Sequence, residues 1–272
     1  MLKTRLVSAA IMVPLVAGGV LYLPTTGVAL VLALVMGVGL WEWGGLIPLG
    51  SGPARIAYPA GVVALMAIAW VAPLDRVIAP LLLLAFIWWL AALFWLVRPS
   101  LGAQSTRAVR ALKGGAGVLV TLPCWASFVA LHAREDHGPL ISLALLVMIW
   151  LADSGAYFAG KRWGHTKLAP VISPGKTWEG VLGGIVTSAI AVLIAGYGYS
   201  HSLEWTLTLM SVALLTVMFS IVGDLLESLM KRQAGIKDSG SIIPGHGGVM
   251  DRIDSLTAAA PMFLIGLLWF GL

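Results

Sequence analysis

Acidic and basic side chains are concentrated in one stretch near the end of the chain, and their spacing could bring them to one point. Four polar residues are related by spacings of three and four: Asp224, Glu227, Ser228 and Lys231. On a helix these intervals place all four side chains on one face. Asp251 and Asp254 are three residues apart and share a face in the same way. We therefore expect carboxylates from two helix ends to converge.

Carboxylates that converge repel one another unless a cation lies between them. A hard divalent cation with oxygen ligands removes this repulsion and keeps open positions for water or a phosphate group. The stretch from 223 to 254 contains no cysteine and one histidine, His246, which argues against a tetrahedral zinc site. The pattern favours Mg²⁺ with a phosphorylated substrate. The alternative is a loop whose charges merely pair with one another.

A glycine-rich turn and several bases surround these acids. The turn at 244–248, Pro-Gly-His-Gly-Gly, has little side-chain bulk, so its backbone amides could form an anion-binding nest. Positive charge around the same place comes from four side chains: Lys231, Arg232, Lys237 and Arg252. Both features suit a phosphate-bearing ligand.

A second polar loop, residues 160–180, contains Gly-Lys-Thr at 175–177, which looks like the end of a phosphate-binding P-loop. A P-loop requires a glycine five positions earlier, where this chain has Pro170, and a preceding strand that the sequence does not indicate. We therefore reject the P-loop interpretation. The remaining interpretation is a Ser-Pro-Gly turn at 173–175 that presents Lys176 to a phosphate.

Asp153 lies inside the apolar run from Leu143 to Ala159. A carboxylate at bilayer depth costs about 2.5–3.5 kcal/mol on insertion scales, so such a residue usually faces a polar cavity or a partner. We expect Asp153 to be functional. The alternative is a structural acid that is protonated or paired.

The elements that carry these side chains must lie in a membrane. Hydrophobic residues make up 59% of the 272 residues and charged residues 11%, whereas soluble domains carry about 25% charged residues. This composition excludes a soluble enzyme and a disordered chain. The single cysteine, Cys124, has no partner within the chain, which excludes a disulfide scaffold.

A membrane helix needs about 20 mostly apolar residues. Runs such as 81–96 are apolar on all sides, without the alternation of barrel strands, so we predict an all-α, polytopic integral membrane protein. Charges, prolines and polar clusters divide the chain into nine such runs: Leu6–Leu23, Gly27–Ile47, Ile56–Ala72, Val77–Val97, Gly114–Leu131, Leu140–Ala159, Val181–Tyr199, Thr206–Val222 and Ile253–Leu272.

The distribution of basic residues predicts the orientation of these helices. If nine helices alternate through the bilayer, 15 of the 17 lysines and arginines lie on one side and two, Arg76 and Arg134, on the other. The positive-inside bias then places the N-terminus and both polar loops in the cytoplasm, at the inner cell membrane. The first run also fits a secretory signal, but eight further spans favour an uncleaved helix. Basic charge of this kind favours anionic lipids over nucleic acid.

Charge also divides the chain into two regions. Residues before Asp153 carry 9 basic and 4 acidic side chains, and those from Asp153 onward carry 8 of each. We expect residues 1–139 to form a scaffold with lipid or dimer contacts, and residues 140–272 to form the catalytic region. Glu42, which lies between two tryptophans, fits either a functional carboxylate or an interfacial one that reaches water.

The stretch from 228 to 254 resembles the signature of the CTP-dependent phosphatidate cytidylyltransferases, also called CDP-diacylglycerol synthases. It reads Ser-x-x-Lys-Arg from 228, Lys-Asp-x-Gly from 237, and Pro-x-His-Gly-Gly-x-x-Asp-Arg-x-Asp from 244. Every defined position of the signature is filled, and the polytopic frame extends the resemblance to the whole chain.

The resemblance implies transfer of CMP from CTP to phosphatidic acid, which gives CDP-diacylglycerol and pyrophosphate in phospholipid biosynthesis. The family's Mg²⁺-binding acids match Asp224 and Asp251, to which we add Glu227 and Asp153, and a second cation of the K⁺ type is implied nearby. The expected catalytic residues are Asp224, Asp251, Lys231, Arg232, Lys237, Asp238, His246, Arg252 and Asp254. The expected substrate-binding residues are Ser173, Lys176, Glu179, Ser228, Lys231, Arg232, Gly247 and Gly248.

Two other functions are compatible with the sequence. A CTP-dependent lipid kinase of the dolichol-kinase type would share the membrane frame and the nucleotide. An ion-coupled transporter would also hold buried acids, but transporters often repeat such features in two halves, and the first region has no matching motif. The expected partners are CTP, phosphatidic acid and the lipid bilayer, without nucleic acid. A homodimer is compatible with the sequence, although no residue identifies its interface.

Overall fold

The apolar runs of the sequence form long helices. The computed structural model describes residues 2–47, 49, 52–199, 202–243 and 247–272, and within them it contains nine helices and one two-stranded sheet. The helices are α1 Leu2–Tyr22, α2 Thr25–Leu46, α3 Ala54–Val71, α4 Leu74–Val97, α5 Arg107–His132, α6 Gly138–Trp163, α7 Trp178–Tyr199, α8 Leu203–Gln233 and α9 Met250–Phe270. The strands, β1 Lys167–Ala169 and β2 Ser173–Thr177, lie between α6 and α7.

Each predicted apolar run corresponds to one helix, which confirms the all-α polytopic fold. Among the described residues, eight helices, α2 to α9, are long and apolar enough to cross a membrane. In α1 the apolar helix recognised in this way, Ala10–Tyr22, is shorter than these eight. A ninth membrane span therefore remains a prediction. The largest differences from prediction are at the start of α5 and the end of α8, where both helices continue through charged residues beyond the apolar run.

The length of α8 is what brings polar side chains to the edge of the bundle. Its 31 residues extend roughly 46 Å at about 1.5 Å per residue, whereas the hydrocarbon core of a bilayer is about 30 Å thick. Lys231 and Arg232 lie in its last turn, where their positive charges interact favourably with the negative end of the helix dipole. Gly235, with a φ of 72°, follows the helix in the left-handed conformation that commonly ends one.

Glycines let neighbouring helices approach closely where the acids lie. A Cβ atom at Gly223 of α8 would collide with the backbone oxygen of Asp254 and approach the side chain of Ala258 on α9. The backbones therefore meet directly at this point, and Asp224 lies beside the start of α9. Gly155 of α6 allows the same close approach to α7, because a Cβ atom there would collide with Thr187 and the backbone of Gly183. Small residues are the usual means of close helix packing in membranes.

Contacts at the two ends of the bundle agree with the predicted alternation of the helices. At one end, the Trp43 indole donates a hydrogen bond to the backbone oxygen of Lys113 at 2.9 Å. At the other end, Arg134 donates to the backbone oxygen of Leu272 at 2.6 Å. The end of α2 thus lies beside the basic start of α5. That this face points to the cytoplasm remains a prediction.

The sheet differs from the sequence-based expectation for the second polar loop. The expected turn at 173–175 is wrong, because these residues belong to β2, which pairs antiparallel with β1, and the turn lies at 170–172. Lys167 is opposite Thr177 and Ala169 is opposite Ser173, so the register is irregular between the two pairs. Such a bulge leaves extra residues outside the ladder, which is how a strand accommodates proline and glycine.

Candidate active site

The polar face of α8 forms the centre of the site. The predicted row is present on this helix: Asp224, Glu227, Ser228 and Lys231. The Ser228 hydroxyl donates to Asp224 Oδ1 at 3.3 Å, one helical turn away. Glu227, Ser228 and Lys231 are buried. Because α8 extends beyond the apolar layer, this row lies at the polar end of the bundle.

Lys231 joins α8 to α9 through two ion pairs. Its ammonium lies 2.5 Å from Glu227 Oε2 and 2.5 Å from Asp251 Oδ1. The side chains are 10% exposed for Lys231, 1% for Glu227 and 5% for Asp251. At such burial a charge without a partner is costly, so one cation is shared between two acids from two helices. This arrangement confirms that carboxylates of the two helix ends converge.

Asp251 also orders the loop between α8 and α9. Its Oδ2 atom accepts hydrogen bonds from the backbone N–H of Ser239 at 3.0 Å, from the Ser239 hydroxyl at 3.0 Å, and from the N–H of Gly248 at 2.7 Å. Asp251 therefore holds Ser239 and Gly248 of this loop to the start of α9. Hydrogen bonds to an ionised carboxylate are stronger than those between neutral groups, so these contacts stabilise the conformation of the loop.

The β-hairpin is tied to the same face of the bundle. Lys176 of β2 forms an ion pair with Asp224 Oδ2 at 2.6 Å, with 26% and 28% of the two side chains exposed. On the same helix, Arg232 Nε donates to the backbone oxygen of Ile172 at 3.2 Å. Ile172 is itself buried. The two polar loops of the sequence thus meet at the end of α8.

Further charged residues surround this meeting point. Asp153 on α6 is close enough to Asp224, Lys176 and Arg252 to interact with them electrostatically. Asp254 on α9 interacts likewise with Asp224 and Lys176. Its Oδ1 accepts a local hydrogen bond from the backbone N–H of the next residue at 2.7 Å. The acids predicted from the sequence, on α6, α8 and α9, therefore gather at one end of the bundle.

The donor chemistry of this cluster fits a hard cation. Among the described residues, no three His, Cys, Asp or Glu side chains are grouped so that they could hold one metal ion. Lys176 and Lys231 form ion pairs with these acids instead. However, Glu227 Oε1 is buried and has no hydrogen-bond partner. Buried carboxylate oxygens without a donor are the ligand type that Mg²⁺ uses.

Glu42 of α2 is a member of the site that the sequence left undecided. The side chain is 4% exposed and accepts hydrogen bonds from the N–H groups of Val249 at 3.0 Å and Met250 at 2.8 Å. Its Oε2 atom also accepts from the Ser239 hydroxyl at 3.1 Å. The residue before α9, Val249, provides no side-chain cap, so Glu42 caps α9 from another helix.

Two glycines of the loop make room for Glu42. A Cβ atom at Gly240 would collide with the Glu42 carboxylate, and one at Gly248 would collide with both Glu42 and Ser239. Gly247 adopts a φ of 82°, which residues with a side chain rarely adopt. The glycines at 247 and 248, predicted to bind substrate, thus also have a structural role.

The remaining predicted residues have varied surroundings. Both carboxylate oxygens of Glu179 accept from the N–H of Thr166, at 3.1 and 3.2 Å, which closes the base of the hairpin. Ser173 begins β2. Lys237 and Asp238 are exposed, and within the described chain neither has a side-chain hydrogen bond or ion pair. His246 lies outside the described residues, and its predicted role remains a prediction.

Comparisons with known proteins agree with this geometry. Residues 3–270 match the model of a family described as the cytidylyltransferase family. The chain is 44% identical over 271 residues to the phosphatidate cytidylyltransferase of Pseudomonas aeruginosa, covering 99% of this chain and 97% of the relative. It is 35% identical over 283 residues to that of Haemophilus influenzae, covering 97% of each. A Staphylococcus aureus phosphatidate cytidylyltransferase is 42% identical over 142 residues, about half of each chain. Because the family match extends over nearly the whole chain, this protein belongs to the cytidylyltransferase family.

Proposed function

We propose that this protein is a CTP:phosphatidate cytidylyltransferase, which makes CDP-diacylglycerol and pyrophosphate. The observation that carries the proposal is the cluster of Asp224, Lys176, Lys231 and Asp251, formed by α8, α9 and the β-hairpin at one end of a membrane bundle. Its support from comparison is the full-length similarity to two proteins with that name.

The chemistry of this reaction suits the groups in the cluster. A phosphate oxygen of phosphatidate attacks the α-phosphorus of CTP, and the bond to the β-phosphate breaks as pyrophosphate leaves. Phosphatidate is already a nucleophile, so the protein needs no covalent intermediate. It must bring two polyanions together and offset the charge that develops on the phosphates.

The two lysines of the cluster have different tasks in this proposal. Lys176 is partly exposed and lies on a hairpin, so it can contact a phosphate oxygen of a bound substrate. Lys231 is more buried and lies between two acids, so it holds α8 and α9 together. Arg252 is exposed at the start of α9 and adds positive charge near Asp153.

A divalent cation completes the proposed site. Asp224, Glu227 and Asp251 would hold Mg²⁺, with Asp153 as a further candidate, since Glu227 Oε1 is buried without a hydrogen-bond donor. To do so, the first three acids would have to exchange their present ion pairs with Lys176 and Lys231 for the metal. When bound, Mg²⁺ offsets negative charge on the phosphates of the nucleotide. The second cation, of the K⁺ type, belongs to the same proposal.

The position of the site suits both substrates. The cluster lies at the polar end of α8, where an acyl chain can remain among the helices while the headgroup reaches the polar face. With the basic face in the cytoplasm, CTP reaches the site from the cytosol.

The function is tested with full-length protein in detergent, labelled CTP, phosphatidate and Mg²⁺. We expect labelled CDP-diacylglycerol together with pyrophosphate, and at least a hundredfold loss of this product in Asp224→Asn, comparable to losing a key charge-stabilising group. Full activity of that variant would contradict the assignment of Asp224.

Product analysis separates this function from the alternatives. CDP with a phosphorylated lipid would identify a lipid kinase instead. Exchange of a solute across liposomes, without CTP binding, would identify a transporter.

A further inference from the structure

An open cavity of about 260 Å³, with both polar and apolar lining, lies beside the cluster but shares no residue with it. It is lined by the end of α2, the loop before α5, the first turns of α5 and the end of α8. Its polar lining includes Gln104, Ser105, Arg110, Lys113 and Gln233. Drug-sized ligands occupy pockets of about 300–1,000 Å³, so this cavity suits a smaller group.

Lys113 is the residue that indicates a ligand. Its side chain is 4% exposed, and its ammonium forms no hydrogen bond or ion pair with any described residue. Trp43 fixes the backbone at this position through the hydrogen bond to the Lys113 carbonyl. A lysine that is largely shielded from water and has no partner among the described residues is costly, whereas an anion in the cavity would offset its charge.

On the α5 side of the cavity, the charged groups around Lys113 are positive. Arg110 lies one turn earlier on α5 and lines the same cavity. The first turn of α5 contains no acid, and the positive end of the helix dipole points toward the loop at 103–105. The cavity therefore lies in a positive potential to which two cationic side chains and a helix end contribute.

The end of α8 separates this cavity from the carboxylates of the cluster. Gln233 is nine residues after Asp224, which places it on the opposite face of α8 at about 100° per residue. Gln233 Nε2 donates to the backbone oxygens of Pro99 at 2.9 Å and Leu101 at 2.8 Å. These bonds tie the end of α8 to the loop between α4 and α5, which lines the cavity at 103–105. The Gln233 Oε1 atom is buried without a partner, which suits a ligand that also carries a hydroxyl group.

We propose that this cavity binds a phosphate-bearing anion at a site separate from the Asp224–Asp251 cluster. The phosphate contacts Lys113 and Arg110, and a hydroxyl on the ligand reaches Gln233. The ligand is either the headgroup of an anionic lipid at the membrane surface or a free phosphate. The proposal does not depend on the reaction that the cluster performs.

The test measures lipid binding to the full chain in detergent by native mass spectrometry. The probe is phosphatidylglycerol, which carries a phosphate and hydroxyls. We expect Lys113→Met to bind it about 10–100-fold more weakly than the parent, as the loss of a charge-assisted bond predicts. Arg107→Met is the matched control, because Arg107 is exposed on the same helix and does not line the cavity.

A second variant and a competitor make the test decisive. Arg110→Gln should weaken binding in the same direction, and it guards against misfolding of Lys113→Met. Displacement of the lipid by inorganic phosphate would show that the site binds the phosphate group alone, and no displacement would show that it binds the lipid headgroup. Equal phosphatidylglycerol affinity of the parent, Lys113→Met and Arg110→Gln would overturn the proposal.

Discussion

Lys231 forms ion pairs with two acids that come from different helices, Glu227 and Asp251. Spacing along the sequence predicts that Glu227 and Lys231 share a helix face. It does not reveal that Asp251 approaches the same ammonium, since this contact joins residues of two helices. At the residue scale, the Lys231 ammonium therefore organises the acids of the cluster.

Replacement of Lys231 by methionine leaves both carboxylates buried without this partner. We expect the free energy of unfolding to fall by about 3–5 kcal/mol, the usual cost of breaking a buried ion pair. Unfolding in mixed micelles measures this change. Lys167→Met is the control, because Lys167 is exposed on β1 and should change stability by less than about 0.5 kcal/mol. Equal losses in both variants would contradict a specific role for Lys231.

Glu42 offers a second test at this scale. In Glu42→Gln, an amide N–H₂ replaces an oxygen that accepts a hydrogen bond, so at least one donor near the start of α9 loses its partner. We expect a loss of about 1–3 kcal/mol in unfolding free energy, with lower activity at temperatures where the variant is folded. Glu204→Gln, at an exposed position in the first turn of α8, should behave like the parent. Unchanged stability and activity of Glu42→Gln would show that the cap is dispensable.

At the scale of elements, the helices follow from the apolar runs, and the hairpin does not. Hydropathy decides which segments lie in a membrane, so the nine runs agree with nine helices of the described chain. The strand at Ser173–Thr177 contains a Ser-Pro-Gly sequence that is typical of turns. Its pairing with Lys167–Ala169 and its ion pair to α8 override that local preference.

The loop between α8 and α9 provides a prediction for this scale. Gly248→Ala introduces a Cβ atom against Ser239, Glu42 and the backbone of Gly240. We expect a loss of about 1–3 kcal/mol in unfolding free energy, as for other overpacked sites. Gly175→Ala on the hairpin is the matched control, because a Cβ atom there meets nothing within 4 Å. If the two variants were equally stable, the close approach of Glu42 to the loop would be refuted.

For the whole molecule, the sequence predicts an orientation, and the structure shows that the basic start of α5 and the basic end of α8 lie together. The division into a scaffold at 1–139 and a catalytic region at 140–272 remains a prediction. Glu42 belongs to the first of these regions and contacts the second. The sequence could not reveal this because the hydrogen bonds join residues 197 to 208 positions apart.

Orientation is tested by labelling introduced cysteines with a membrane-impermeant maleimide. The native Cys124 is buried, so it should remain unlabelled in the folded protein. Lys167→Cys, on the hairpin, should be labelled in inverted membrane vesicles and protected in intact spheroplasts. Glu135→Cys, exposed between α5 and α6, should show the opposite pattern. The reverse result for both would place the proposed site outside the cell.

The cap that Glu42 provides has a consequence for biosynthesis. Its partners Val249 and Met250 are made more than 200 residues after it, which takes roughly 10–40 s at about 5–20 residues per second. During that time a carboxylate near the bilayer must remain in contact with water. Since the start of α9 follows α1 to α8 in the chain, it cannot be capped before those eight helices have been synthesised. A growing chain therefore cannot carry a finished site, and a truncated chain that stops before α9 would reach the membrane inactive.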